Sequence, residues 1–137
     1  VEIDAYPYRL TKENAHELIS RYDIVVGGMD NFMTRYIVSD ECKLQGKPYV
    51  YGAIRGLDGQ VAVLCKGHTT YRSLLPDEEA TLSMPHPGKA VLGTTPAVVG
   101  SVEACQVLML AAEFGEPLID RLWTVDLSTM MSYVIEM

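Results

Sequence analysis

The stretch Tyr22-Asp-Ile-Val-Val-Gly-Gly-Met-Asp-Asn-Phe-Met-Thr-Arg35 constrains the fold more than any other part of the chain. Its β-branched run, Ile24 to Val26, reads as a buried strand that passes through a tight glycine turn into a helix from about Asn31. That succession is the unit of an open α/β sheet, in which ligands bind outside the carboxyl ends of the strands. Asp30 stands at that edge, and Arg35 follows about one and a half turns into the helix, within reach of the same crevice. An acid and a base so placed suit a metal-bound polyphosphate. Plainer roles are open to both residues. Asp and Asn cap helices because their side chains accept backbone N–H bonds, and an arginine on a helix is ordinarily solvated.

The chain has 137 residues, enough for one domain with a real core. Its formal charge of −7 argues against nucleic acid or an anionic membrane as partner, since both require basic patches. The most apolar region, Ala90 to Ala112, is interrupted by Thr94, Thr95, Pro96, Ser101, Glu103 and Gln106, which reads as too polar for a bilayer span. Charged residues alternate with apolar ones at the N-terminus, unlike a secretory signal. Cys42, Cys65 and Cys105 are scattered and odd in number, as expected of a reducing compartment, and each reads as a small buried hydrophobe. Cytoplasm is the expected location. Because the chain opens on Val1 and Val1–Ala5 already alternates like a strand, it reads as part of something longer.

After Pro7, Thr11 is a candidate cap for a helix whose face is Ala15, Leu18, Ile19 and Tyr22. Strand Asp23–Gly27 follows, pairing in parallel with the first strand by a right-handed crossover. The next helix runs from about Asn31 to Gln45, with Gly46 and Pro48 as stops and Lys43 and Lys47 suiting its negative end. Tyr49–Ile54 and Gln60–Cys65 flank the turn signal Leu57-Asp-Gly-Gln60 and predict an antiparallel hairpin. Residues 66–93 carry glycines and prolines with little periodicity and read as an irregular crossover segment. Thr95 before Pro96 predicts a helix start, and the run to Phe114, apolar on nearly every side, predicts a buried helix. Leu122–Leu127 and Ser132–Met137 read as a final hairpin. The glycine-rich strand–loop–helix of a dinucleotide-binding fold is not found.

Taken together these segments resemble the ThiF/MoeB/HesA family, bacterial relatives of ubiquitin-activating enzymes. Asp23-Ile-Val-Val followed by Met29-Asp-Asn-Phe-Met-Thr-Arg35 is similar to the family's "DxVVDxTDNFxTR". Gly46–Ile54 with Asp58-Gly-Gln-Val61 resembles "GKPLVYGA…EGQV"; Tyr71-Arg72 falls where the family has "CYRC". Val91-Leu-Gly93 with Pro96 and Val99-Gly-Ser101 resembles "GVLG…PGVIGSLQA", and Gly115–Leu118 with Trp123–Asp126 resembles "GEPLxGRLLxYDA". The order holds across essentially the whole chain.

The resemblance implies a single, partial nucleotide-binding domain over residues 1–137, the C-terminal portion of a family member. The fold expected is a mixed α/β one: Rossmann-like parallel strands continue into antiparallel strands, with flanking helices. It implies Mg-ATP-dependent adenylation of the C-terminal glycine of a ubiquitin-like sulfur-carrier protein. Asp30 and Asn31 would contact the nucleotide, Asp30 would help hold magnesium, and Asp30 and Arg35 would be the catalytic pair. A homodimer is implied as well. Three departures stand out. Gly27 replaces the first aspartate of "VVDxTDN"; Thr70 and Ser73 replace the zinc cysteines, so no zinc is expected; and His86 stands at the family's mobile cysteine and is left outside the site. These departures leave enzymatic activity open, and with it the alternative of a non-catalytic scaffold that dimerises or binds a ubiquitin-fold partner.

Overall fold

The computed structural model describes residues 1–85 and 91–137, so His86 lies outside the described residues. Five strands form one mixed sheet in the order β1 (Val25–Val26), β2 (Tyr49–Arg55), β3 (Asp58–Leu64), β4 (Arg121–Asp126) and β5 (Met131–Glu136). Among the described residues β1 and β2 pair in parallel, and β2–β3, β3–β4 and β4–β5 pair antiparallel. The parallel crossover is supplied by α2 (Phe32–Gln45), and the expected mixed α/β architecture is present.

The first expected strand does not form. Val1–Ala5 belongs to no strand, with Ile3 84% exposed, because alternation alone specifies a face and not a partner. The parallel pair is therefore β1–β2 across α2, and β1 covers two residues where five were expected. The two hairpins fall as expected, the first closing through Gly56 at φ 60° with Arg55 opposite Asp58.

The apolar side chains of β2 divide between two cores. Tyr49 and Tyr51 join Ala15 and Ile19 of α1 (Lys12–Ser20) and Tyr36, Val38 and Cys42 of α2 on one face. Val50 packs with Val61, Val63, Val99 and Leu118 on the other. This is the period-two alternation of a strand buried on both sides.

Caps set the helix ends. Thr11 and Asn14 form a capping box on α1, with the Thr11 N–H donating to Asn14 Oδ1 at 2.8 Å. Gly46 ends α2 in the left-handed conformation at φ 69°. The Lys47 backbone N–H closes the end of α2, donating to the Cys42 carbonyl at 2.8 Å, but its side chain leaves that helix. Its ammonium donates to the carbonyls of Ile19 (2.8 Å), Ser20 (2.7 Å) and Tyr22, tying α2's exit to the negative end of α1.

Residues 66–93 are less irregular than expected, since α3 (Tyr71–Leu74) and α4 (Glu78–Ser83) occupy part of them. Arg72 links the two to α2, reaching Asp40 at 2.7 Å and Glu78 at 2.8 Å. The last helix, α5 (Thr94–Ala112), begins after Gly93 and not at a Thr95 cap. Thr95 is fully buried and its hydroxyl donates to the Gly56 carbonyl at 2.8 Å.

The expectation that α5 is buried is corrected. Thr95, Val99, Glu103 and Gln106 face the sheet, while Val98 and Leu108 are exposed. Its polar residues also do not exclude a span by composition, because α5 is long and apolar enough to cross a membrane on that measure alone. What places it is packing on β2 and β3, where Gly59 allows it close: a Cβ there would stand 2.4 Å from a Val99 methyl. Of the cysteines only Cys42 is fully buried; Cys65 is half-buried and Cys105 exposed. Burial pushes the Cys42 thiol up to about 12.

Candidate active site

The carboxyl ends of β1 and β2 open into a cavity of about 740 Å³, within the usual size of a ligand site. Its walls come from the loop after β1, from α2, from the end of β2, from the segment after α4 and from α5. Asp30, Asn31 and Arg35 all line it, so the fold brings the three residues singled out from sequence into one crevice.

Their local roles divide. The cap of α2 is Asn31, whose Oδ1 accepts the Thr34 N–H at 2.9 Å. Its Nδ2 donates to Asp30 Oδ1 at 3.2 Å. Asp30, next to that cap, is exposed beside the positive end of the α2 dipole. Arg35 is half-buried and turns back on its own loop. Its Nη2 donates to the Met29 carbonyl at 2.8 Å, and its guanidinium lies 5.5 Å from the Tyr51 ring centroid. The solvated-helix-face reading of Arg35 does not hold.

Beneath Arg35 lies a cluster of buried tyrosines. Tyr36 and Tyr71 pack edge to face at 4.9 Å, and Tyr51 and Tyr71 lie 5.4 Å apart. Tyr36 donates to the Leu75 carbonyl at 2.6 Å, and Gln60 donates to Tyr51 at the same distance. Burial raises the hydroxyls of Tyr49, Tyr51 and Tyr71, so all three are neutral. Tyr49 explains Gly27: a Cβ at residue 27 would stand 2.6 Å from the Tyr49 hydroxyl, leaving no room for an acidic side chain.

Sequence reasoning missed Glu103. It stands on the sheet-facing side of α5, is 8% exposed and lines the same cavity. Its Oε1 is buried without a hydrogen-bond partner, and burial pushes its carboxyl up to about 7 against the opposing pull of Arg35. Gly52 on β2 makes the space, because a Cβ there would come within 2.4 Å of Glu103 Oε1. The available signal was the spacing of Thr95, Val99, Glu103 and Gln106 on one helical face.

Donor chemistry separates two metals. Magnesium is satisfied by one or two carboxylates plus phosphate oxygens, and Asp30 beside a helix N-terminus fits an ion that arrives with a nucleotide. Among the described residues no group of three or more His, Cys, Asp or Glu could hold a metal independently. Zinc does not fit at Thr70 and Ser73. Their hydroxyls lie 3.2 Å apart within a capping box on α3, and hydroxyls are not zinc's structural ligands. Nearby, Asp120 clasps the segment before α3, accepting from Thr69 and pairing with His68 at 2.6 Å. That His68 hydrogen bond draws the Asp120 carboxyl down to about 2.

Solved structures share this fold. Microcin enzyme MccB of E. coli with ATP superposes with a TM-score of 0.68 over 93% of this chain and 41% of its own, at 15% identity, which establishes the fold alone. Among curated proteins, the sulfur carrier protein adenylyltransferase of Thermus thermophilus is 44% identical over 92% of this chain and 49% of its own length. The adenylyltransferase and sulfurtransferase MOCS3 of Arabidopsis thaliana is 39% identical over 98% and 30%. The SAMP-activating enzyme E1 of Haloferax volcanii is 35% identical over 95% and 48%. The chain thus spans half or less of the length of these relatives. The ThiF family model matches residues 1–137, and the chain belongs to the ThiF family.

Proposed function

We propose that residues 1–137 form a single domain contributing one wall of an adenylyltransferase site that activates the C-terminal carboxylate of a ubiquitin-like sulfur-carrier protein. The observation that carries this reading is one cavity uniting Asp30, Asn31 and Arg35 at the N-terminus of α2, in a chain whose relatives are adenylyltransferases. In the reaction an oxygen of the acceptor carboxylate attacks the α-phosphorus of ATP. The bond from that phosphorus to the bridging oxygen of pyrophosphate breaks, leaving an acyl-adenylate and pyrophosphate. The chemistry is positioning and charge neutralisation, the requirements common to phosphoryl and nucleotidyl transfer.

Asp30 would hold magnesium at the phosphates, with Asn31 contacting the nucleotide from the same cap. Bound with ATP, the metal supplies neutralisation of phosphate charge. Without a cation between them, the Asp30 carboxylate would repel phosphate at the very place where the α2 dipole attracts it. Arg35 acts by holding the Met29 carbonyl, which fixes the loop presenting Asp30, and by facing its charge to the cavity.

The partner protein, a homodimer and a cytoplasmic location belong to the same proposal. The exposed apolar residues of α5 and β5, among them Leu108, Met131, Val134 and Ile135, support self-association. Gly27, packed against Tyr49 where the family carries an acid, favours a second reading, a scaffold without chemistry. ATP–pyrophosphate exchange by the complete gene product separates the two. Exchange that depends on a carrier ending in glycine supports adenylation. Its absence with every ubiquitin-fold protein tried supports the scaffold.

A further inference from the structure

Glu103 is a buried acceptor that the reaction above does not use. Leaving a buried polar atom without a partner costs free energy, and its lone pairs are normally met by protein or ligand donors. Here the strand beneath has given up its side chain at Gly52 to seat the carboxyl, and the neighbouring cavity walls, Val99, Ile54 and Ala53, are aliphatic. No ion pair joins Glu103 to Arg35, although the two influence each other electrostatically. An aliphatic cavity wall carrying one buried carboxyl suits an extended chain without bulky side chains that brings a backbone N–H.

We propose that Glu103 is a specificity-determining residue for the acceptor, its carboxyl taking an N–H hydrogen bond from the acceptor's extended C-terminal residues where they pass along the cavity wall formed by α5 and the end of β2. The inference rests on the adenylation reading for the identity of that chain. It gives Glu103 a positioning role: by fixing the tail it sets where the terminal carboxylate comes to lie relative to the Asp30 end of the cavity. An adenine amino group is the competing donor. The aliphatic surroundings of Glu103 offer no stacking face for a purine; among the described residues the aromatic ring lining the cavity, Phe32, stands beside Asn31 instead.

Protonation sharpens the test. Among the described residues the charged groups lining the cavity with Glu103 are Asp30, Arg35 and Arg55, of which Arg35 draws its carboxyl down and burial pushes it up. An N–H donated to the carboxylate favours the charged form. Acceptor binding therefore strengthens as pH rises through about 7.

The probe is a synthetic hexapeptide ending in Gly-Gly, with analogues N-methylated at each of the last three peptide bonds, titrated calorimetrically into the complete gene product. The unmethylated peptide is expected to bind at least about tenfold more tightly than one of the analogues, the loss of one charge-assisted hydrogen bond. Glu103→Leu should abolish that discrimination. Glu103→Gln should retain it while losing the pH dependence, which a merely structural role for Glu103 would not produce. The proposal is overturned if the wild-type protein does not bind the peptide, or if Glu103→Leu discriminates as the wild type does. It is equally overturned if Glu103→Gln keeps the pH profile, or if Glu103→Leu weakens AMP and leaves the peptide unaffected. Glu103-dependent peptide binding in a protein that performs no exchange would sink the adenylation reading and leave this inference standing.

Discussion

Replacing Glu103 by glutamine removes a titration from the core while keeping the side chain's size. Its carboxyl is raised from the ordinary 4.5 to about 7 because it is buried without a hydrogen-bond partner. The sign follows from proton binding. Between 4.5 and about 7 the folded protein holds a proton that the unfolded chain has lost. The stabilisation from this group is therefore full below 4.5 and is lost as pH rises through about 7. Each pH unit across that interval is worth about 1.4 kcal/mol, so the wild type forfeits on the order of 3 kcal/mol by pH 8 that Glu103→Gln does not. Urea denaturation of both proteins at pH 5, 6, 7 and 8 cancels every other titrating group by difference. Glu103→Gln should match the wild type at pH 5 to within about 1 kcal/mol. It should then gain on the wild type steadily to pH 7 and level off. A stability difference constant from pH 5 to pH 8 would refute the burial argument.

Gly27→Ala places a methyl group 2.6 Å from the Tyr49 hydroxyl in a packed core, so it should destabilise by about 1–3 kcal/mol; an unchanged urea midpoint would count against that packing. Metal analysis of protein purified without added metal should find no stoichiometric zinc, given that Thr70 and Ser73 bond to each other through hydroxyls; tightly bound zinc would contradict this. Leu108 is 61% exposed on the outer face of α5. The protein should sediment as a dimer at micromolar concentration and Leu108→Asp should shift it towards monomer, whereas a wild-type monomer would remove the case for self-association.

What was legible in the sequence is what local chemistry dictates. The two hairpins, the α2 helix with its Gly46 stop, and the meeting of Asp30, Asn31 and Arg35 at one strand end follow from turn residues, caps and periodicity. What was not legible depended on partners elsewhere in the chain. Val1–Ala5 alternates as a strand does, yet strand formation needs a neighbouring ladder. Lys47 lies in sequence at the end of α2, but its ammonium goes to the end of α1, 25 to 28 residues distant. The inverted character of α5 misled most: an apolar composition suggests burial, but its polar stripe turns inward and much of its apolar surface outward. Glu103 was visible as a polar interruption, and only its position above Gly52 gives it meaning.

The most direct test of the adenylation account is ATP–pyrophosphate exchange by the complete gene product bearing Asp30→Ala, titrated with magnesium in the presence of a carrier protein ending in glycine. Asn31 caps α2, so loss of the Asp30 carboxylate should leave the fold intact, with a urea midpoint close to that of the wild type. Exchange should fall by on the order of a hundredfold or more, as when one preorganised electrostatic contact to a developing charge is removed. Raising magnesium should not restore the wild-type rate. A folded Asp30→Ala protein that exchanges at the wild-type rate would contradict the account.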